Sequence, residues 1–145
     1  MYKHILVPVD GGKLSDKAIK EAVGLAGATG AKVTLFHVAP AYTGAYYAEN
    51  AVMMGQYDSA TFAAASAAQA EKVLVRAAKL ARMAVTTRHA VGDLPYDAIV
   101  TQAVKSKCDL IVMASHGRSG VAGFLLGSET QKVLTHSKVP VLVVR

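Results

Sequence analysis

The chain is 145 residues long, 52% hydrophobic and 18% charged, and carries a formal net charge of +6. These values describe one globular domain spanning residues 1–145, with enough chain for a sizeable core, and they exclude an intrinsically disordered protein. The positive balance suits an anionic ligand, but the Lys and Arg residues are scattered and form no basic run, so neither nucleic acid nor a membrane surface is expected as a partner.

Met1–Asp10 is too short for a signal peptide and lacks a cleavage pattern, which makes a cytoplasmic protein the expectation. Within it, His4 to Val9 is an almost continuous apolar run and reads as a strand buried on both faces. Asp10-Gly11-Gly12 breaks the run with a turn. Ser15-Asp16 then opens a helix with Ile19, Ala22, Val23 and Ala26 on one side and Gly30 as its stop. Lys32 to Val38 is a second strand. Residues 39–57, with Tyr42, Tyr46, Tyr47, Met53, Met54 and Tyr57, form a connection long enough to serve as a lid or a protein-partner surface, or simply to be a mobile loop.

An alanine-rich helix follows from about Asp58 to Met83, its expected buried stripe being Phe62, Val73, Leu74, Ala77 and Leu80. Charged residues such as Glu71, Lys72 and Arg76 interrupt it, and no apolar run in the chain approaches the roughly 18 residues of a membrane span. Ala84 to Val91 reads as a third strand. Asp93 and Pro95 start a third helix, with Ile99, Val100 and Ala103 on its inner side. Cys108, the only cysteine, excludes an internal disulfide and suits a reducing compartment. It sits at the opposite end of the next strand from the polar loop, where packing rather than catalysis is expected.

That strand, Leu110 to Met113, empties into a loop holding Gly117, Gly120 and Gly123, which closes at Gly127-Ser128. Ser128 with Gln131 three residues on is a capping-box pattern, so a helix is expected to begin there. Backbone N–H groups at such a start, with glycines that permit close approach, form an anion site. Thr130 adds a hydroxyl in the first turn. Glu129 is expected to point away, because its carboxylate repels a phosphate. Arg118 is a candidate clamp for a terminal phosphate, and His116 a weaker one. Val139 to Val144 closes the chain as an apolar strand. Strand–helix alternation of this kind predicts a parallel sheet with right-handed crossovers, and strand orders 2-1-3-4-5 and 3-2-1-4-5 both remain open.

Other nucleotide and hydrolase signatures are missing. Gly12-Lys13 is followed by Leu14 rather than completing a P-loop, and neither G-x-G-x-x-G nor G-x-S-x-G occurs. The five histidines are dispersed without metal-ligand spacing.

The pattern A-S-H-G, nine residues, then G-S, followed by V-P-V-L-V-V-R, resembles the universal stress protein family. Its nucleotide-binding members carry Gly-x-x-Gly, nine residues, then Gly-Ser or Gly-Thr. The opening I-L-V-P-V-D and the V-T-L-F-H-V run fit as well, so the likeness covers essentially the whole chain. The departure is Ala114, which stands where the motif has its first glycine. The resemblance implies an open, doubly wound five-stranded α/β sheet of order 3-2-1-4-5 with helices on both faces. It implies ATP as ligand, with magnesium carried by the phosphates. It places Pro8, Asp10 and Val38 along adenine and ribose, and Met113, Ala114, Gly117, Gly127, Ser128 and Thr130 around base, ribose and phosphates. It also points to a homodimer through strand 139–144, where an apolar edge needs cover. The expected role is a dimeric stress-response sensor or regulator with at most slow ATP hydrolysis. The alternatives are an ATP hydrolase or nucleotidyl-transfer enzyme, and an interaction module that binds no nucleotide.

Overall fold

The structure, a computed structural model, describes residues 1–41, 59–116 and 126–145. The expectations for Gly117, Arg118, Gly120 and Gly123, and for residues 42–57 of the long connection, lie outside them. The elements are β1 (His4–Pro8), α1 (Lys13–Thr29), β2 (Lys32–Ala39), α2 (Ser59–Ala81), β3 (Thr86–Val91), α3 (Pro95–Lys105), β4 (Leu110–Ala114), α4 (Ser128–His136) and β5 (Val141–Val144).

All strand pairs are parallel, and the sheet order is β3-β2-β1-β4-β5. The alternation of side chains along each strand builds two separate cores. Ile5 and Val7 of β1, with Leu110 and Val112 of β4, pack against Ile19, Ala22, Leu74 and Ala77 of α1 and α2. Leu6, Ile111 and Met113 point the other way, toward Ile99 and Ala103 of α3 and Val133 of α4. The central strands are therefore buried on both faces, which is why they read as unbroken apolar runs.

The element ends differ from the sequence-based boundaries for local reasons. The first helix begins at Lys13, ahead of Ser15, whose hydroxyl donates to the Gly12 carbonyl at 3.0 Å. The closing strand begins at Val141 rather than Val139. Pro140 has no N–H for the ladder, although its carbonyl accepts the Ile111 N–H at 2.9 Å. The edge strand β3 is mostly exposed and begins at Thr86 rather than Ala84. Cys108 is buried in the second core, and burial, with the neighbouring Asp109 charge, pushes its thiol up to about 11. It is a packed thiol, not a nucleophile.

Winding reverses between β1 and β4, because α1 carries the chain to one side of β1 and the β3–α3 connection returns it to the other. In such sheets the carboxyl ends of the two flanking strands open a crevice. Among the described residues, no helix is long and apolar enough to cross a membrane.

Candidate functional site: the crevice at the carboxyl ends of β1 and β4

A cavity of about 210 Å³ lies at this reversal. Pro8 and Asp10 line it from the end of β1, Val38 from β2, Met113 and Ala114 from β4, and Thr130 from α4. Six of the ten residues singled out from the sequence thus share one wall system, although Pro8 and Thr130 are more than 120 positions apart in the chain.

The β1 end is shaped by a turn. Asp10 Oδ1 accepts the Gly12 N–H at 2.8 Å, and between them Gly11 takes φ +79°, a conformation that favours glycine. Asp10 therefore both holds the turn and lines the cavity.

On the opposite side, Gly127 and not Ser128 is the N-cap of α4. Its backbone is extended (φ −60°, ψ 149°), and its carbonyl accepts the Gln131 N–H at 3.0 Å. The expected capping box does not form. Ser128 is the first helical residue and is exposed, and the Gln131 side chain instead donates to the Leu126 carbonyl at 3.0 Å.

Gly127 serves close approach as well. Its N–H donates to the Ser115 carbonyl at 2.8 Å, and a Cβ there would lie 3.1 Å from that oxygen and from His116 Cα. The Thr130 hydroxyl is also committed, donating to the Ala114 and Ser115 carbonyls at 3.0 and 3.1 Å, and the residue is buried. Both residues latch the start of α4 onto the end of β4. What the helix start offers to an anion is the set of first-turn N–H groups at Ser128, Glu129 and Thr130, which have no partner within the helix.

Several cavity residues were not picked out from the sequence. Phe36 and His37 flank the wall at β2, and Pro95 and Ile99 bring in the start of α3. In a parallel sheet every helix after a strand begins at the carboxyl edge, so the topology was the available signal for Pro95 and Ile99. His37 Nδ1 lies 2.8 Å from the Val9 carbonyl. A carbonyl only accepts, so this nitrogen carries the proton and Nε2 is the acceptor in the neutral ring. His116, the weaker clamp candidate from the sequence, lines the cavity as well, its Nδ1 paired with the Ser115 hydroxyl at 2.9 Å.

Glu129, expected to point away from a phosphate, has both carboxylate oxygens engaged by neighbouring groups. It lines the cavity, half-buried, and Oε2 accepts the Tyr96 N–H at 2.9 Å, capping the start of α3. Its Oε1 accepts from Lys132 Nζ at 2.9 Å. Among the described residues, no three His, Cys, Asp or Glu side chains converge as a metal site.

A model of the universal stress protein family matches residues 1–145. The chain belongs to that family. It is 32% identical over 148 residues to the "Universal stress protein in QAH/OAS sulfhydrylase 3'region" of Thermus aquaticus, covering 100% of both chains. The solved structure of MJ0577 from Methanocaldococcus jannaschii superposes with a TM-score of 0.79 at 27% identity, over 99% of this chain and 96% of that one. A universal stress protein solved in complex with cAMP gives a TM-score of 0.63 at 27% identity, over 99% and 97% of the two chains. For this universal stress protein the implied strand order 3-2-1-4-5 is the order found.

Proposed function

We propose that this universal stress protein binds an adenine nucleotide in the crevice between β1 and β4 and acts as a dimeric cytoplasmic stress sensor or regulator. The observation that carries the reading is the cavity itself. Apolar walls from Val38, Ile99 and Met113 suit a purine, Asp10 suits a ribose hydroxyl, and the first turn of α4 stands ready for phosphate. Its relative solved with cAMP supports an adenine ligand. At about 210 Å³ the cavity is below the roughly 300 Å³ at which pockets for drug-sized ligands begin. A base and ribose are proposed to occupy it, with the phosphates outward toward Gly127, Ser128 and Thr130, and toward Gly117 and Arg118 by the motif. ATP, carrying magnesium on its phosphates, is the proposed ligand.

Turnover is proposed to be slow. Phosphoryl transfer relies on a positioned metal, clustered positive charge and a group that orients the nucleophile. The described residues at the mouth supply N–H groups, one exposed hydroxyl and a carboxylate already bound to Tyr96 and Lys132. The dimer is assigned to β5, an apolar sheet edge on which Leu142 is 40% exposed. Sedimentation is expected to show a dimer at micromolar concentration, and a monomer there contradicts that assignment. The connection over residues 39–57 is proposed as a protein-partner surface.

Isothermal titration with magnesium and ATP tests the central reading. Saturable 1:1 binding with phosphate release far below one per second is expected. Absence of binding at millimolar ATP, or release at several per second, contradicts it.

A further inference from the structure

Glu129 is the second residue of α4, so its carboxylate belongs to the same helical turn whose N–H groups a phosphate would approach. Across the cavity stands a second carboxylate, Asp10, and among the described residues lining the cavity there is no Lys or Arg. Lys132, one turn further along α4, has its ammonium on Glu129 Oε1 at 2.9 Å and 5.5 Å from the centre of the Tyr96 ring. Two other donors at this end, the Gly127 N–H and the Thr130 hydroxyl, are held by the carbonyls at the end of β4. Glu129 thus opposes a polyanion with a single negative charge, which also neutralises Lys132, a cation that would otherwise be available to phosphate.

Resting on the nucleotide reading above, we propose that Glu129 is a specificity-determining residue, a charge filter that favours adenosine ligands of low phosphate charge over ATP without its magnesium. The physical cause is the mutual repulsion of like charges in a half-buried site, where screening by water is incomplete. A nucleoside or a singly charged phosphodiester meets little of it. Each further phosphate charge meets more, and magnesium bound to the phosphates relieves it. The filter is separable from Glu129's other task, because a carboxamide oxygen in its place still accepts the Tyr96 N–H and keeps the start of α3 in position.

Titration of adenosine, AMP and ATP in EDTA into the full chain and into Glu129→Gln tests this. ATP affinity is expected to rise about tenfold in the variant while adenosine affinity stays within about twofold. Adding magnesium is expected to narrow the ATP difference between the two proteins. Equal shifts for adenosine and ATP would show that Glu129 only positions the α3 wall, and an unchanged ATP affinity would show no filter; either result overturns the proposal while leaving the nucleotide reading intact. No binding of any of the three ligands by either protein overturns both.

Discussion

At the amino end of the sheet, the Asp109 carboxylate accepts the Lys3 and His4 N–H groups at 2.8 and 2.9 Å, and His4 Nε2 meets the Thr34 hydroxyl at 2.8 Å. At the carboxyl end, Asp10 and Glu129 each accept a backbone N–H of a flanking turn or helix and line an open cavity. The same strands run through both ends. At one, carboxylate and hydroxyl stitch β1 to β2 and β4. At the other, each carboxylate is held by a backbone N–H, and its residue lines an open cavity. A polar group that knits strands together is expected to affect stability, and one held at the cavity wall is expected to affect binding.

The largest effect is expected where the two roles meet. In Gly127→Val the new Cβ is 3.1 Å from the Ser115 carbonyl oxygen and His116 Cα, both backbone, so the close contact between α4 and the end of β4 must give by a few tenths of an ångström. A binding loss of about 2 kcal/mol or more is expected by titration calorimetry, the scale of lost charged hydrogen bonds. A destabilisation of about 1–3 kcal/mol is expected in urea melts, the usual result of overpacking. Unchanged affinity in the folded variant would place the ligand elsewhere.

Asp10→Asn sharpens the contrast. The carboxamide oxygen still accepts the Gly12 N–H, so stability is expected to hold. Adenosine affinity is expected to fall by about 1 kcal/mol through a weaker ribose contact. An equal loss of stability would make Asp10 a turn residue only.

Asp109→Asn is the mirror case, with the smallest effect. Burial works to raise the Asp109 carboxyl, but the His4 and Lys3 N–H groups outweigh it and hold it below the ordinary 3.8. A depressed folded value contributes stability above the unfolded value, and that contribution is lost as pH falls through the folded one. Denaturation melts between pH 7 and 2 are therefore expected to show a shallower acid decline in Asp109→Asn, with nucleotide affinity at pH 7 unchanged. A changed affinity would mean that the two ends of the sheet are coupled.

The core of the fold was legible because β1 and β4 are continuous apolar runs, and Ile19, Ala22, Leu74 and Ala77 fall at helical spacing; all are buried or nearly so. Pro8, Asp10, Val38, Met113, Ala114 and Thr130 were legible as a group because the family motif marks strand ends that the topology brings together. Ser128 was misread because S-x-x-Q fits a serine at the N-cap or one residue into the helix. The extended backbone of Gly127 decides between them. The engagement of Glu129 was not legible in the sequence. The Tyr96 N–H that holds it belongs to a helix 33 residues away in the chain, a pairing no local pattern reveals.

The most direct test is a crystal structure of the full chain grown in saturating magnesium and ATP. Adenine seated between Val38 and Met113, with the phosphates at the first turn of α4, is the predicted result. An empty cavity, with ATP bound elsewhere or absent, contradicts the account.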